Sequence, residues 1–344
     1  MKQLFLITSL QFLFGFYSSG QNIGFNDRLL TKKELSNIVS FTKVYGYVRH
    51  FYPSTEVEQM KNWEKLIVDN LPKVEQSSGI EDLQRNLSRA FLPYAPQLII
   101  NGKGNTNNDS TIKKYKVYRK NKGWGNRGEN ATRIQFLYTS ELIKFPSDSI
   151  FPKYILSPEE RITKKLNDEI ILSWPISVFA NDSFTLPHDY YFSNDTAKYI
   201  YNSSDRYVRL GCIIELWNVM QHFYPYLDDL NINNEKILEK YLQLASVANN
   251  EEIFFEVLEL FGAEYKDGHA AFMPYPYSKW ADYVPPLRLE LIEGKLIVTY
   301  IEYPDSIGIY VGDEITSINN ISAKKWFKTK SAKVSSATTT WNTF

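Results

Sequence analysis

The sequence contains a single cysteine, Cys212, and only four histidines, His50, His188, His222 and His269. One thiol forms no internal disulfide, so cross-links contribute nothing to stability. Cys212 lies in an apolar helical stretch and reads as a small core residue, not a nucleophile. No histidine stands in a His-Glu-x-x-His arrangement, and one cysteine builds no thiolate site, so no metal and no cofactor are expected. Net charge is absent too: 39 Lys+Arg balance 39 Asp+Glu. That balance argues against a nucleic acid or an anionic membrane recognised by bulk charge. The longest apolar run, Leu4 to Phe16, is too short for a transmembrane helix. No Gly-x-Ser-x-Gly elbow occurs either.

What is present begins with that run. Lys2 precedes it, and Ser18, Ser19 and Gly20 follow it. A short positive start, an apolar stretch and a small-residue exit are the layout of a secretory signal peptide over residues 1–20. The mature chain is then exported, to the periplasm or outside the cell, without a membrane span. At 344 residues, 43% of them hydrophobic, two or three globular domains are expected. Aromatics reach 15%, with 24 Tyr and 21 Phe, residues suited to cores and to surfaces that hold extended polymers.

Thr31 and Glu34 have capping-box spacing. Leu35, Ile38, Thr42, Tyr45 and Val48 then share a helical face that runs into His50-Phe51-Tyr52-Pro53. Further helical stretches hold Trp63, Leu66, Ile67 and Leu71, then Leu83, Leu87 and Phe91. Past Ile99 the texture becomes strand-like, at Tyr115–Tyr118, Ile134–Tyr138 and Ile170–Val178. A second apolar helical stripe, Leu210 to Met220, runs into His222-Phe223-Tyr224-Pro225, 172 residues after the first tetrapeptide. Collinear matches follow it: Leu66 with Ile237, Ile67 with Leu238, Leu71 with Leu242 and Leu87 with Leu258. A tetrapeptide with such a trail reads as an internal duplication.

The expected fold is therefore multidomain α+β, a duplicated helical module carrying a β-rich insert and followed by a small β domain. The boundaries are 1–20 for the signal, 21–98 for the first helical copy and 99–202 for the insert. The second copy spans 203–276 and the last domain 284–344. In each tetrapeptide the histidine suits a helix C-terminus, the aromatics suit packing, and proline ends the helix. Gly123-Trp-Gly125-Asn-Arg-Gly128 has dinucleotide-loop spacing, but a strand-like run follows where a helix is needed, so it reads as a hairpin. Asp228 and Asp229 read as solvated loop charge. Asp267-Gly268-His269 is a tight turn after an apolar helix.

Three stretches resemble the tail-specific, or C-terminal processing, serine peptidase family, particularly its tricorn-like branch. The helical segment Phe254–Leu260 closing in Asp267-Gly268-His269 is similar to that family's helix ending in Asp-x-His. Ile307-Gly308-Ile309-Tyr310-Val311-Gly312-Asp313-Glu314-Ile315-Thr316-Ser317-Ile318-Asn319 resembles a PDZ signature, with Ile309 in place of the usual Leu and Asn320 in place of the final Gly. Ser335-Ser336-Ala337-Thr338 is similar to a Ser-Ala-Ser-like run in some members. The resemblance covers roughly residues 205–344. It implies a PDZ domain that captures a polypeptide end or an extended segment by strand addition. It also implies a serine nucleophile on a following α/β domain, with His269 as its catalytic base. No nucleophile-bearing domain is visible, so the chain is expected to be cut near an incomplete PDZ-like domain and to bind polypeptide without cleaving it. Two other readings stay open: a non-catalytic envelope peptide-binding or scaffold protein, and, from aromatic content alone, a glycan-binding protein.

Overall fold

The computed structural model describes residues 27–104, 112–122, 139–188, 202–268, 270, 272, 286–303 and 308–338. The signal segment, the Gly123–Gly128 loop, the strand-like run 134–138 and His269 lie outside the described residues. The fold is mixed α and β: among the described residues there are eight α-helices, and every strand pairing is antiparallel. The chain divides into two compact units, one from Asn22–Ile200 with Ser204–Val247, the other mainly from Ala248–Phe344.

The first unit holds α1 (Lys32–Phe51), α2 (Thr55–Gln59), α3 (Trp63–Glu75), α4 (Ile80–Phe91), α5 (Arg206–Phe223) and α6 (Asn234–Val247). Helix α1 starts at a complete capping box. The Glu34 amide donates to Thr31 Oγ1 at 3.3 Å, and the Thr31 amide donates to Glu34 Oε2 at 2.8 Å. The Arg28 guanidinium grips the same carboxylate, and together these donors hold Glu34 down to about 2. Both long helices end alike. The Tyr52 amide reaches Val48 O and the Tyr224 amide reaches Met220 O, each at 3.2 Å, before Pro53 and Pro225.

Helix α5 is buried almost all round, from Val208 to Val219. A helix enclosed on every side needs neighbours that can approach closely. Gly211 meets Ile67 of α3, where an added Cβ would lie 3.3 Å from its methyl carbon. Against α1 the approach is closer. A Cβ on Gly46 would fall 1.9 Å from Asn218 Oδ1 and 2.8 Å from His222 Nε2. Asn218 is fully buried and donates through Nδ2 to Thr42 O of α1 at 3.0 Å and to Ile214 O of α5 at 2.9 Å. Gly46 and Asn218 are separated by the same 172 residues as the tetrapeptides, and so are Thr42 and Ile214.

Buried ion pairs fix α5 to its neighbours. Arg206 makes a two-pronged contact to Glu75 of α3, at 2.8 and 3.0 Å. Arg49 of α1 meets Glu215 at 2.7 Å, and Tyr45 donates its hydroxyl to the same carboxylate at 2.8 Å. Arg209 pairs with Asp27 and donates through Nε to Ala245 O of α6 at 2.9 Å. Satisfying each charge in this way is what makes such burial tolerable.

Two four-stranded sheets complete the unit. One has the order β2-β1-β6-β5, with β1 Ile99–Ile100, β2 Lys103–Gly104, β5 Ile162–Lys165 and β6 Ile171–Trp174. The other has the order β4-β3-β7-β8, with β3 Tyr115–Lys122, β4 Thr139–Pro146, β7 Ser177–Ala180 and β8 Thr185–Leu186. The strand expected over Ile170–Val178 is broken at Pro175, which has no amide to give a ladder, so β6 and β7 belong to different sheets. Helix α2 was not anticipated; Ser54 caps it by accepting from the Val57 amide at 3.1 Å.

The second unit contains α7 (Glu251–Ala263), β9 (Leu287–Ile292), β10 (Lys295–Ile301), β11 (Glu314–Ile315), β12 (Ser317–Ile318), β13 (Ile321–Ser322) and α8 (Ala323–Ser331). Strands β9 and β10 turn at Glu293-Gly294, both at positive φ, as a two-residue hairpin loop requires. The run expected over Glu314–Ile318 is interrupted at Thr316, whose carbonyl accepts from Ala323 at the start of α8. Helix α8 escaped the sequence reading because its four lysines leave no apolar stripe, and only Ala323 is buried.

Gly46→Ala is expected to lower the unfolding free energy by about 1–3 kcal/mol through overpacking, outweighing the gain of about 1 kcal/mol that alanine brings to a helix. Urea unfolding of the full chain measures this, and an unchanged midpoint would mean that the helix crossing relaxes freely.

Candidate functional site

The close approach at Gly46 brings the two tetrapeptides face to face. The His50 and His222 rings lie 6.0 Å apart, and Phe51 stacks on Phe223 at 6.3 Å with 17° between planes. The cross pairs are reciprocal: His50 on Phe223 and Phe51 on His222, each at 5.0 Å and near perpendicular. Tyr47 joins this group, 5.5 Å from His222 and 4.5 Å from the Trp174 indole of β6.

Strand β3 supplies the polar side of the cluster. Asn121 Nδ2 donates to the His50 carbonyl at 2.9 Å, satisfying an acceptor that the end of α1 leaves open. Side chains two apart on a strand share a face, so Arg119 lies on the same side of β3 as Asn121 and the buried Val117. Its Nε and Nη1 atoms are buried and have no hydrogen-bond partner. Arg49 differs, being held by Tyr45 and Glu215. The exposed Glu58 acts on Arg119 only through space, and burial brings the guanidinium down to about 10.

Burial also sets the state of the two imidazoles. It pushes His222 down to about 4. His50 is driven well below its ordinary value by burial, with Arg49, His222 and Arg119 adding repulsion. Near neutral pH both rings are uncharged, each with one N–H to donate and one nitrogen to accept. The site thus holds two neutral imidazoles, one guanidinium without a bonded carboxylate, and aromatic walls.

The other singled-out residues lie elsewhere. His188 Nδ1 is 2.6 Å from the buried Glu56 carboxylate, and its ring stacks on Phe184 at 3.9 Å. Cys212 is buried and its thiol is pushed up by that burial, which suits a core residue. Asp228 and Asp229 form an exposed 3-10 turn. In the second unit Ser335 Oγ donates to Gly262 O at the end of α7 and accepts from the Asp267 amide, both at 2.9 Å. The Asp267 turn and the serine run therefore meet there, while His269 itself is not among the described residues. Lys333 fastens the same segment to α7 through Glu256 at 2.6 Å.

Gly46, Asn218 and Arg119 were not singled out from the sequence. Gly46 and Asn218 share the tetrapeptide offset, a signal that extending the alignment backwards would expose. Arg119 follows Val117 by two in an alternating strand, which places it inward, but nothing local indicates what it faces. Among the described residues no three His, Cys, Asp or Glu side chains gather in a metal-holding group, and no helix is long and apolar enough to cross a membrane. No family model, curated protein or solved structure matches the chain.

The depressed histidines predict an acid-sensitive fold. An unfolded histidine titrates near 6.5, so as pH falls from there towards 4 the unfolded chain binds protons that the folded chain refuses, and stability drops. The loss is on the order of a few kcal/mol. Urea unfolding at stepped pH should show a shallower fall in His222→Gln than in the parent, and identical slopes would remove His222 as a cause.

Proposed function

We propose that this chain is the polypeptide-binding, N-terminal and PDZ-like portion of an exported serine endopeptidase of the tail-specific type. Cleavage in such an enzyme is the work of a Ser-bearing α/β domain; the residues described here supply scaffold and capture. The observation that carries the reading is the small antiparallel sheet of the second unit, ordered β11-β10-β9. Its signature residues form a defined turn. The Gly312 amide donates to Val298 O at 2.8 Å, the Val298 amide to Asp313 O at 3.0 Å, and the Tyr310 amide to Asp313 Oδ2 at 2.8 Å. Gly308 and Gly312 take positive φ there, which favours glycine.

That turn ties β11 to one side of β10 and leaves β9 as the outer strand on the other side, among the described residues. An outer strand offers main-chain groups to an extended peptide, which adds as a further strand. Ile292, Tyr300, Tyr303 and Tyr310 are exposed in this unit and would supply side-chain contact. An internal duplication accounts for the matched helix ends and for the 172-residue offset between facing residues at the crossing. Export accounts for the apolar N-terminal segment.

Hydrogen exchange on the full chain saturated with an unfolded-protein-derived peptide should protect the amides of β9. Protection confined to other elements, or none at all, would sink strand addition. In protein carrying the Ser-bearing domain, His269→Ala is expected to lower peptide turnover by orders of magnitude, about 10²–10⁴-fold for a lost general base, with peptide affinity unchanged. Unchanged turnover would make His269 a structural residue.

A further inference from the structure

The paired tetrapeptides do more than pack. On the face of β3 whose Asn121 donates to the His50 carbonyl, the half-buried Arg119 carries two buried nitrogens, Nε and Nη1, that lack a partner. A buried donor left unpaired costs free energy comparable to a lost hydrogen bond, and more when it is charged. Such a group, at a cluster of two further titratable side chains, is a mark of a ligand site. We infer that Arg119, with His50 beside it and His222 6.0 Å beyond His50, forms a binding site for a carboxylate group next to the stacked Phe51 and Phe223 rings. The inference concerns the helical unit and stands independently of peptide capture by β9.

The charges select the ligand class. Arg49 is already balanced by Glu215 at 2.7 Å, which leaves Arg119 as the charge without a bonded counter-ion in this cluster. One positive charge without a bonded counter-ion, beside imidazoles that are neutral, matches a monoanion. A dianion would bring a second buried charge with no partner, which is costly. A metal cation is disfavoured by what keeps His50 unprotonated: burial first, then the positive charges of Arg49 and Arg119. The planar guanidinium fork matches the two oxygens of a carboxylate better than a spherical anion. The carboxylate can belong to a free organic acid or to the C-terminus of a polypeptide, and the test separates them.

The full mature chain is titrated with acetate, chloride, inorganic phosphate, and a short peptide as free acid and as C-terminal amide. Imidazole proton resonances of His50 and His222 are followed by NMR, and affinity by calorimetry. Acetate is expected to bind saturably, moving both resonances. Arg119→Gln should weaken that binding by about tenfold or more, a lost charge-assisted hydrogen bond, without lowering the thermal midpoint. If Arg119→Gln does not fold, His222→Gln carries the test, with His50 still responding to acetate at several-fold weaker affinity. A free-acid peptide that binds where its amide does not identifies a chain end as the source. Acetate binding without peptide binding identifies a small acid. No saturable response to acetate, equal affinity in the folded variant, or tighter binding of phosphate or chloride would overturn the assignment.

Discussion

The helical unit depends on one close contact, the crossing of α1 and α5 at Gly46 and Asn218. A β-carbon on Gly46 would fall 1.9 Å from Asn218 Oδ1. Here one residue has none, and the other fills the space with an amide that bonds to Thr42 O and Ile214 O. Helix axes usually stand 8–10 Å apart depending on the side chains between them, and a bare glycine moves that distance to its lower end. The consequence reaches one turn further along each helix. His50 and Phe51 are carried against His222 and Phe223, so packing at the crossing decides the geometry of the histidine pair. The price is one buried acceptor, Asn218 Oδ1, without a partner, a cost of about 1–3 kcal/mol.

Many local features of this fold were legible in the sequence, and the long-range contacts were not. The capping box at Thr31 and Glu34, the buried stripe of Ile38, Thr42, Tyr45 and Val48, and the hairpin turn at Glu293-Gly294 all depend on residues a few positions apart. The break at Pro175 was equally readable, because a missing amide is a property of the residue itself, yet the apolar run around it outweighed the signal. Helix α8 had no apolar face to reveal it. Arg119 is the instructive failure. Its alternation with Val117 points it inward, but its importance depends on what lies opposite, and His50 and His222 come from helices separated by the whole β-rich segment.

The contrast among the arginines of this unit gives the site its meaning. Arg206 is held by both oxygens of Glu75, Arg209 by Asp27 and Ala245 O, and Arg49 by Tyr45 and Glu215. Each has a bonded carboxylate, although Arg206 Nε is itself buried without a partner. Arg119 follows a different rule, with two buried nitrogens unanswered and only the exposed Glu58 acting on it through space. Folding alone gives no reason to keep such a charge, since an apolar side chain of similar volume would pack there at lower cost.

Neutral histidines at the same place complete the logic. Burial that drives His50 well below its ordinary value removes a positive charge that would otherwise repel Arg119, so the guanidinium and the imidazole can share one cluster. Were either ring protonated, the cluster would hold two or more like charges in a low-dielectric setting, which is costly. An incoming anion reverses the balance, because it stabilises the guanidinium and each N–H that faces it. The same aromatic packing that ends the two helices therefore sets the protonation state on which anion recognition rests, and a tetrapeptide first visible as a recurrence in the sequence acquires a chemical use only where its two occurrences meet.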